Sequence, residues 1–205
     1  MWTIAEQLQI KKFTSPFDIQ IFLDSIPYNP IGECRSPRLV LAEPRAHCFE
    51  GALFAAAMLR EIGHLPLIVD MTAENDDDHV IAVFRSGNLW GAIAKSNTSA
   101  LRFREPAYRT LRELIMSYFD FYFNTLGEKS LRSYSRPVNL NRFNKKNWAT
   151  SSDDLEYIGD YLYTMRHYPV AGPGVLSNLH KADKLLMDAV FLGANDEGLF
   201  KAESS

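Results

Sequence analysis

The chain has 205 residues, 46% hydrophobic and 23% charged, which is enough for a sizeable core and too apolar for a disordered chain. Its 22 lysines and arginines stand against 25 aspartates and glutamates, a net charge of −3, so there is no electrostatic case for a nucleic-acid or anionic-membrane partner. Two cysteines, Cys34 and Cys48, are too few for a disulfide scaffold, and no stretch reaches the roughly 18 consecutive apolar residues of a membrane span.

Met1 to Lys12 carries Glu6 and two lysines without a long apolar run, and does not read as a signal peptide. With free thiols, the expected location is a reducing compartment, most simply the cytoplasm. No internal repeat or Ser/Gly linker divides the sequence. It reads as one domain over 1–205, with an extended C-terminal part from about residue 127.

Ser15-Pro16 opens a short helix, serine as N-cap and proline at the first helical position, with Pro27 as its limit. Asn29 to Pro44, broken by proline and glycine, reads as a loop. From His47 to Ile62 the apolar residues Phe49, Ala52, Leu53, Ala56, Leu59 and Ile62 recur at three-and-four spacing, and Gly63 supplies a stop. This is the clearest helix in the chain.

Leu65 to Met71 predicts a buried strand, and Thr72 to Asp78 a polar loop. Val80 to Phe84 and Leu89 to Ala94 flank Arg85-Ser86-Gly87-Asn88 as a hairpin. A further helix is expected from Pro106 through Leu111, Leu114, Ile115 and Tyr118 to about Phe123, and weaker ones near Ser152–Tyr163 and Ser177–Phe191. The sum is a mixed α+β fold with a small antiparallel sheet and additional C-terminal helices.

The chemistry-bearing residues fall between Arg45 and Asn97. Cys48 opens the strong helix, where unpaired backbone N–H groups and the helix dipole favour a thiolate and supply donors for an oxyanion. His79 stands at the start of a strand, at the edge of a loop, placed to take the thiol proton and later return it to a leaving group.

The ordered set Cys48-Phe49-Glu50-Gly51-Ala52, Ala55 to Arg60, Gly63-His64-Leu65-Pro66, His79-Val80-Ile81 and then Trp90 resembles the transglutaminase-like branch of the papain-like cysteine enzymes. The resemblance covers about a quarter of the chain. It implies a cysteine on a helix N-terminus packed against an antiparallel sheet, with Cys48 as nucleophile and His79 as general base. In that family an aspartate four residues after the tryptophan orients the histidine; here that position is Ala94.

Hairpin register offers substitutes. A two-residue Gly87-Asn88 loop puts Ser96 opposite His79, and a four-residue loop puts Ala94 there. Asn97 has the better chemistry for orienting an imidazole, so the expected site is Cys48, His79 and Asn97, with Ser96 as the other candidate. Asn29, beside Tyr28 in the preceding loop, is a candidate second oxyanion donor because its side chain carries an N–H₂ group.

Other motifs carry less. Asp76-Asp77-Asp78 lacks the alternation of a calcium loop and reads as a solvated loop near the mouth of the site. His47 and Cys48 diverge on a helix, which argues against zinc, and Cys34 has no matched histidine. No cofactor and no metal are expected. The aromatic run Tyr118 to Phe123 continues a helical core stripe, and Gly172-Pro173-Gly174 is a turn.

The expected function is a cysteine-dependent acyl transfer, a hydrolase of the peptidase or amidase kind acting on an amide, peptide or isopeptide bond. Its partner is then a peptide or amide-containing substrate, with homo-oligomerisation left open. The alternative is a binding module on the same scaffold, its catalysis lost with Ala94.

Overall fold

Capping chemistry sets the helix starts in the computed structural model, which describes residues 1–203. Thr3 and Ser15 each accept from the third helical N–H, while Glu6 and Asp18 reach back to the cap, opening α1 (Ile4–Ile10) and α2 (Pro16–Ser25). Ser36, followed by Pro37, caps α3 (Pro37–Ala42) by accepting Leu39 N–H, without a reciprocal acidic side chain, inside the segment whose prolines and glycines read as a loop. The Ser-Pro start was the overlooked helix signal there.

Next come α4 (Cys48–Glu61), β1 (Leu67–Ala73), β2 (His79–Ser86), β3 (Leu89–Ile93), β4 (Arg104–Tyr108) and α5 (Leu111–Phe119). The chain continues through β5 (Leu131–Ser135), β6 (Val138–Asn139), a 3-10 turn at Leu140–Lys146, α6 (Glu156–Tyr163), β7 (His167–Pro169), α7 (Pro173–Leu176) and α8 (Lys184–Val190). The sheet runs β4-β3-β2-β1-β5-β7, with β6 beside β1, and its paired strands are antiparallel. The mixed α+β architecture expected from the sequence is the one that forms.

Two boundaries differ from the sequence reading. Pro106 lies within β4, not at a helix start; Thr110 caps α5 by accepting from Glu113 N–H, and the helix ends at Phe119. A proline suits an edge strand, where no ladder N–H is missed. The C-terminal part supplies three strands, β5, β6 and β7, that its polar, aromatic composition did not reveal.

The sheet is buried on both faces. Ile68, Val80, Ala82 and Phe84 join Ile19, Leu23, Leu53, Phe54 and Met58 beneath α2 and α4. Val69, Met71, Ile81 and Val83 join Leu114, Ile115 and Tyr118 of α5 on the other side. Strand residues alternate between two cores, so β1 and β2 read in sequence as continuous apolar runs. Along α4, every residue from Phe49 to Leu59 is buried.

The β2–β3 turn is the two-residue alternative, with Ser86 paired to Leu89 and Ala82 to Ile93. Gly87, at φ 56°, takes the first central position that favours glycine in a II′ hairpin turn.

Candidate functional site

The first turn of α4 is held by an unusual cap. His47 is the N-cap: its Nδ1 accepts Phe49 N–H at 3.2 Å, and its Nε2 lies 2.5 Å from the Glu33 carbonyl. A carbonyl only accepts, so the neutral ring carries its proton on Nε2. Glu50 completes the box. Its Oε2 accepts from His47 N and Asn29 Nδ2, each at 3.0 Å, and its Oε1 accepts from Arg35 Nε at 2.6 Å.

Glu50 is fully buried and Arg35 nearly so. A charge pair so deep is kept by its hydrogen bonds: removing either partner strands a desolvated charge. The Glu50 cluster therefore fixes the position of the residue between, Cys48.

Cys48 is half-buried, and its Sγ lies 3.7 Å from the Asp78 carbonyl, beside the backbone of His79. Its backbone N–H has no acceptor among the described residues, leaving a donor at the positive end of the helix dipole. Burial of the sulfur opposes ionisation, but hydrogen bonding from His47 and His79, and their charge when protonated, outweigh it and hold the thiol at about 5. Burial opposes protonation of His47, but Cys48 and the charge of Glu50 raise its imidazole to about 9, so His47 and His79 both favour the thiolate.

Cys34 is the internal contrast. Burial, then the negative charge of Asp154 and Glu156, push its thiol up to about 12. The surroundings favour the thiolate at Cys48 and disfavour it at Cys34.

His79 opens β2, buried, with Nε2 3.1 Å from the Leu101 carbonyl. That bond puts the proton on Nε2 and leaves the Nδ1 lone pair for Cys48. The Tyr122 ring stands edge-on to the imidazole, centroids 6.3 Å apart, and its hydroxyl donates to the Asp77 carbonyl at 2.6 Å.

A main-chain carbonyl, and not the expected Asn97, is thus the group that holds the His79 ring. Asn97 lines the same cavity as Cys48 and His79, but its amide is taken: Nδ2 donates to the Asn195 carbonyl at 2.9 Å, and Oδ1 accepts Asn195 N–H at 2.8 Å. Ser96, opposite His79 if the hairpin register continued, interacts instead with Thr98.

The ladder stops because Gln20 intervenes. Its amide donates to the Ala94 carbonyl and accepts Ala94 N–H, at 2.9 and 3.0 Å, in place of a neighbouring strand. Lys95 then turns its amine onto the Leu23 and Ile26 carbonyls at the end of α2. Beyond this bend, Arg102 donates to Thr98 O, and Tyr118 Oη donates to Arg102 O at 2.8 Å, fixing the backbone that presents the Leu101 carbonyl.

Asn29, the expected second oxyanion donor, gives one of its two amide N–H bonds to Glu50. Tyr28, its neighbour, lines two cavities with Cys48. Burial, then the negative charge of Cys48, Asp77 and Glu50, raise its phenol far above the ordinary value, so it remains a donor. The acidic run is more built-in than a solvated loop. Asp76 accepts from Ser130 Oγ, Asp78 accepts Ala73 N–H, and Asp77 alone is exposed.

Three cavities, of about 70, 420 and 440 Å³, meet at Cys48, and Asp77 and Asp78 line all three. Among the described residues, no three His, Cys, Asp or Glu side chains converge as a metal site. No helix of the described residues is long and apolar enough to cross a membrane.

The Glu50 cap was legible in principle, three residues after His47 in a capping-box pattern. The Leu101 carbonyl was not, because a backbone acceptor has no sequence signature. No protein-family model matches the chain, and no curated protein matches it.

Proposed function

We propose that the chain is a cysteine-dependent acyl-transfer enzyme of the transglutaminase-like kind, hydrolysing an amide, peptide or isopeptide bond. The observation that carries this reading is Cys48 at the first position of α4, lining one cavity with a histidine, His79, whose Nε2 is pinned to the Leu101 carbonyl.

In this mechanism His79 Nδ1 takes the thiol proton and Cys48 Sγ attacks the substrate carbonyl, forming a C–S bond. The oxyanion is met by Cys48 N–H, with Tyr28 as the further donor facing the cavity. The imidazolium returns its proton to the amine nitrogen as the C–N bond breaks. Water, deprotonated by His79, then attacks the thioester; the acid departs and the thiol is restored.

Leu101 supports this cycle by holding the His79 ring, though a carbonyl lacks the full charge of the aspartate that the resemblance implies at Ala94. Imidazolium is therefore stabilised less than it would be by a carboxylate. That neutral orienter is also the observation favouring the second reading, a binding module on the same scaffold.

The test is turnover of peptide and amide substrates by wild type and Cys48→Ala, with mass-spectrometric trapping of an acyl group on Cys48. Loss of turnover in the variant and a Cys48 acyl adduct are expected. Full turnover by Cys48→Ala on an accepted substrate overturns the mechanism.

A further inference from the structure

One segment of the chain already lies in the cleft beside Cys48 in the manner of a bound peptide. Residues 195–203 run past the cavity, and Gly198, Leu199 and Phe200 line two of the spaces that Cys48 lines. Two asparagine side chains hold its backbone. Asn97 engages both the N–H and the C=O of Asn195, at 2.8 and 2.9 Å. Asn75 does the same for Glu203, both bonds at 2.9 Å. Thr125 Oγ1 adds a longer bond, 3.4 Å, to the Phe200 carbonyl.

A primary amide that pairs with both backbone groups of one residue mimics a neighbouring strand and reads main chain without regard to side chain. Gln20 does this for Ala94 elsewhere in the molecule. Asn75 is aimed from a left-handed backbone position, φ 53°, which asparagine tolerates better than most residues.

Side-chain selection sits between the clamps. A Cβ at Gly198 would stand 2.6 Å from Tyr28 Cε1, 2.7 Å from its Cδ1 and 3.2 Å from Asn97 Nδ2, so only glycine fits against the tyrosine. Leu199 and Phe200 follow toward Leu101, Phe123 and Phe191.

We propose that the cleft is a peptide site that takes a 3-10 turn, as at Asp196–Gly198, selective for glycine against Tyr28 followed by apolar residues, and that residues 195–203 occupy it as an intramolecular competitor. For the chemistry done there, the inference rests on the reading of Cys48 as a nucleophile. It goes further in naming the ligand class and a cis regulator of access. A peptide partner gains entry by displacing the segment, so its apparent affinity falls by the fraction of time the groove is open.

The test uses the full chain with Gly198→Val, which drives a side chain into Tyr28 from the last residue of the short 3-10 turn Asp196–Gly198. The probe is a labelled peptide, Asn-Asp-Glu-Gly-Leu-Phe-Lys-Ala-Glu, and the readout is the rate of Cys48 with an aromatic disulfide across pH. Expected are a plateau rate roughly tenfold above wild type, for a groove open about a tenth of the time, peptide binding to the variant well above that to wild type, and suppression of the Cys48 rate by bound peptide.

Equal rates overturn the proposal, as does a faster thiol with no peptide binding, or binding that leaves Cys48 unprotected. If Gly198→Val unfolds, Phe200→Asp releases the segment and leaves both asparagine clamps in place, and the same outcomes apply. The pH midpoint keeps the two readings apart. An ordinary thiol midpoint with peptide-dependent protection sinks the nucleophile and leaves the groove; an acidic midpoint without protection does the reverse.

Discussion

Replacing His79 with alanine should make the pH profile of Cys48 cross that of wild type, and the crossing is more diagnostic than a loss of rate. At pH 6 a thiol at about 5 is about nine-tenths ionised, whereas an ordinary thiol near 8.5 is about 0.3% ionised, a ratio of roughly 300. The more basic thiolate is intrinsically the better nucleophile, and a Brønsted slope of about 0.45 over about 3.5 pH units returns roughly 40-fold. His79→Ala should therefore react roughly eightfold slower than wild type at pH 6, match it near about pH 7, and react roughly thirtyfold faster at about pH 9.

The sign follows from what the substitution leaves behind. Burial of the sulfur remains and pushes the thiol up, while the share of the opposing effect that came from His79 is gone; His47 stays, so the ordinary-thiol figures are the upper limit of the change. Any extra burial effect moves the crossing to higher pH without removing it. The assay is the stopped-flow rate of an aromatic disulfide reagent, with peptide mapping to assign the modified thiol. Parallel curves that never cross, or a wild-type midpoint in the ordinary thiol range, would refute the Cys48–His79 pair.

Three further outcomes test the surrounding structure. Asn97→Ala should keep the low Cys48 midpoint, because the Leu101 carbonyl and not the amide engages His79; a midpoint returned to the ordinary range would restore Asn97 as the orienting group. Arg35→Met should destabilise the fold by about 3–5 kcal/mol in urea titration by stranding the Glu50 carboxylate, and adding Glu50→Leu should recover much of it; a single-variant cost within error of zero speaks against the buried pair. Gly51→Ala should cost about 1–3 kcal/mol, since its Cβ would meet Lys95 Cβ at 2.3 Å, and unchanged stability would mean that α4 and the Lys95 segment do not approach so closely.

Local chemistry was enough for part of this molecule. The three-and-four spacing from Phe49 to Ile62 specifies α4, and the alanines and glycine between those positions let it be buried on every side. Gly87-Asn88 between two apolar runs specifies the hairpin, and the position of Cys48 at a helix start follows from the same pattern. The α+β class was therefore legible, as were the two residues on which the chemistry is proposed.

Tertiary structure decided the rest, for a physical reason in each case. His79 needs an acceptor, and the choice among Ala94, Ser96, Asn97 and a backbone carbonyl depends on where the chain goes after β3. Gln20, from a helix 74 residues away, ends the ladder at Ala94 and sends the chain across to Leu101. The apolar runs of β1 and β2 do not say that two cores lie behind them, since burial on both faces removes the alternation that would report it. Side-chain identity sets which groups can donate, accept or ionise; only the folded chain, through contacts distant in sequence, sets which of them meet.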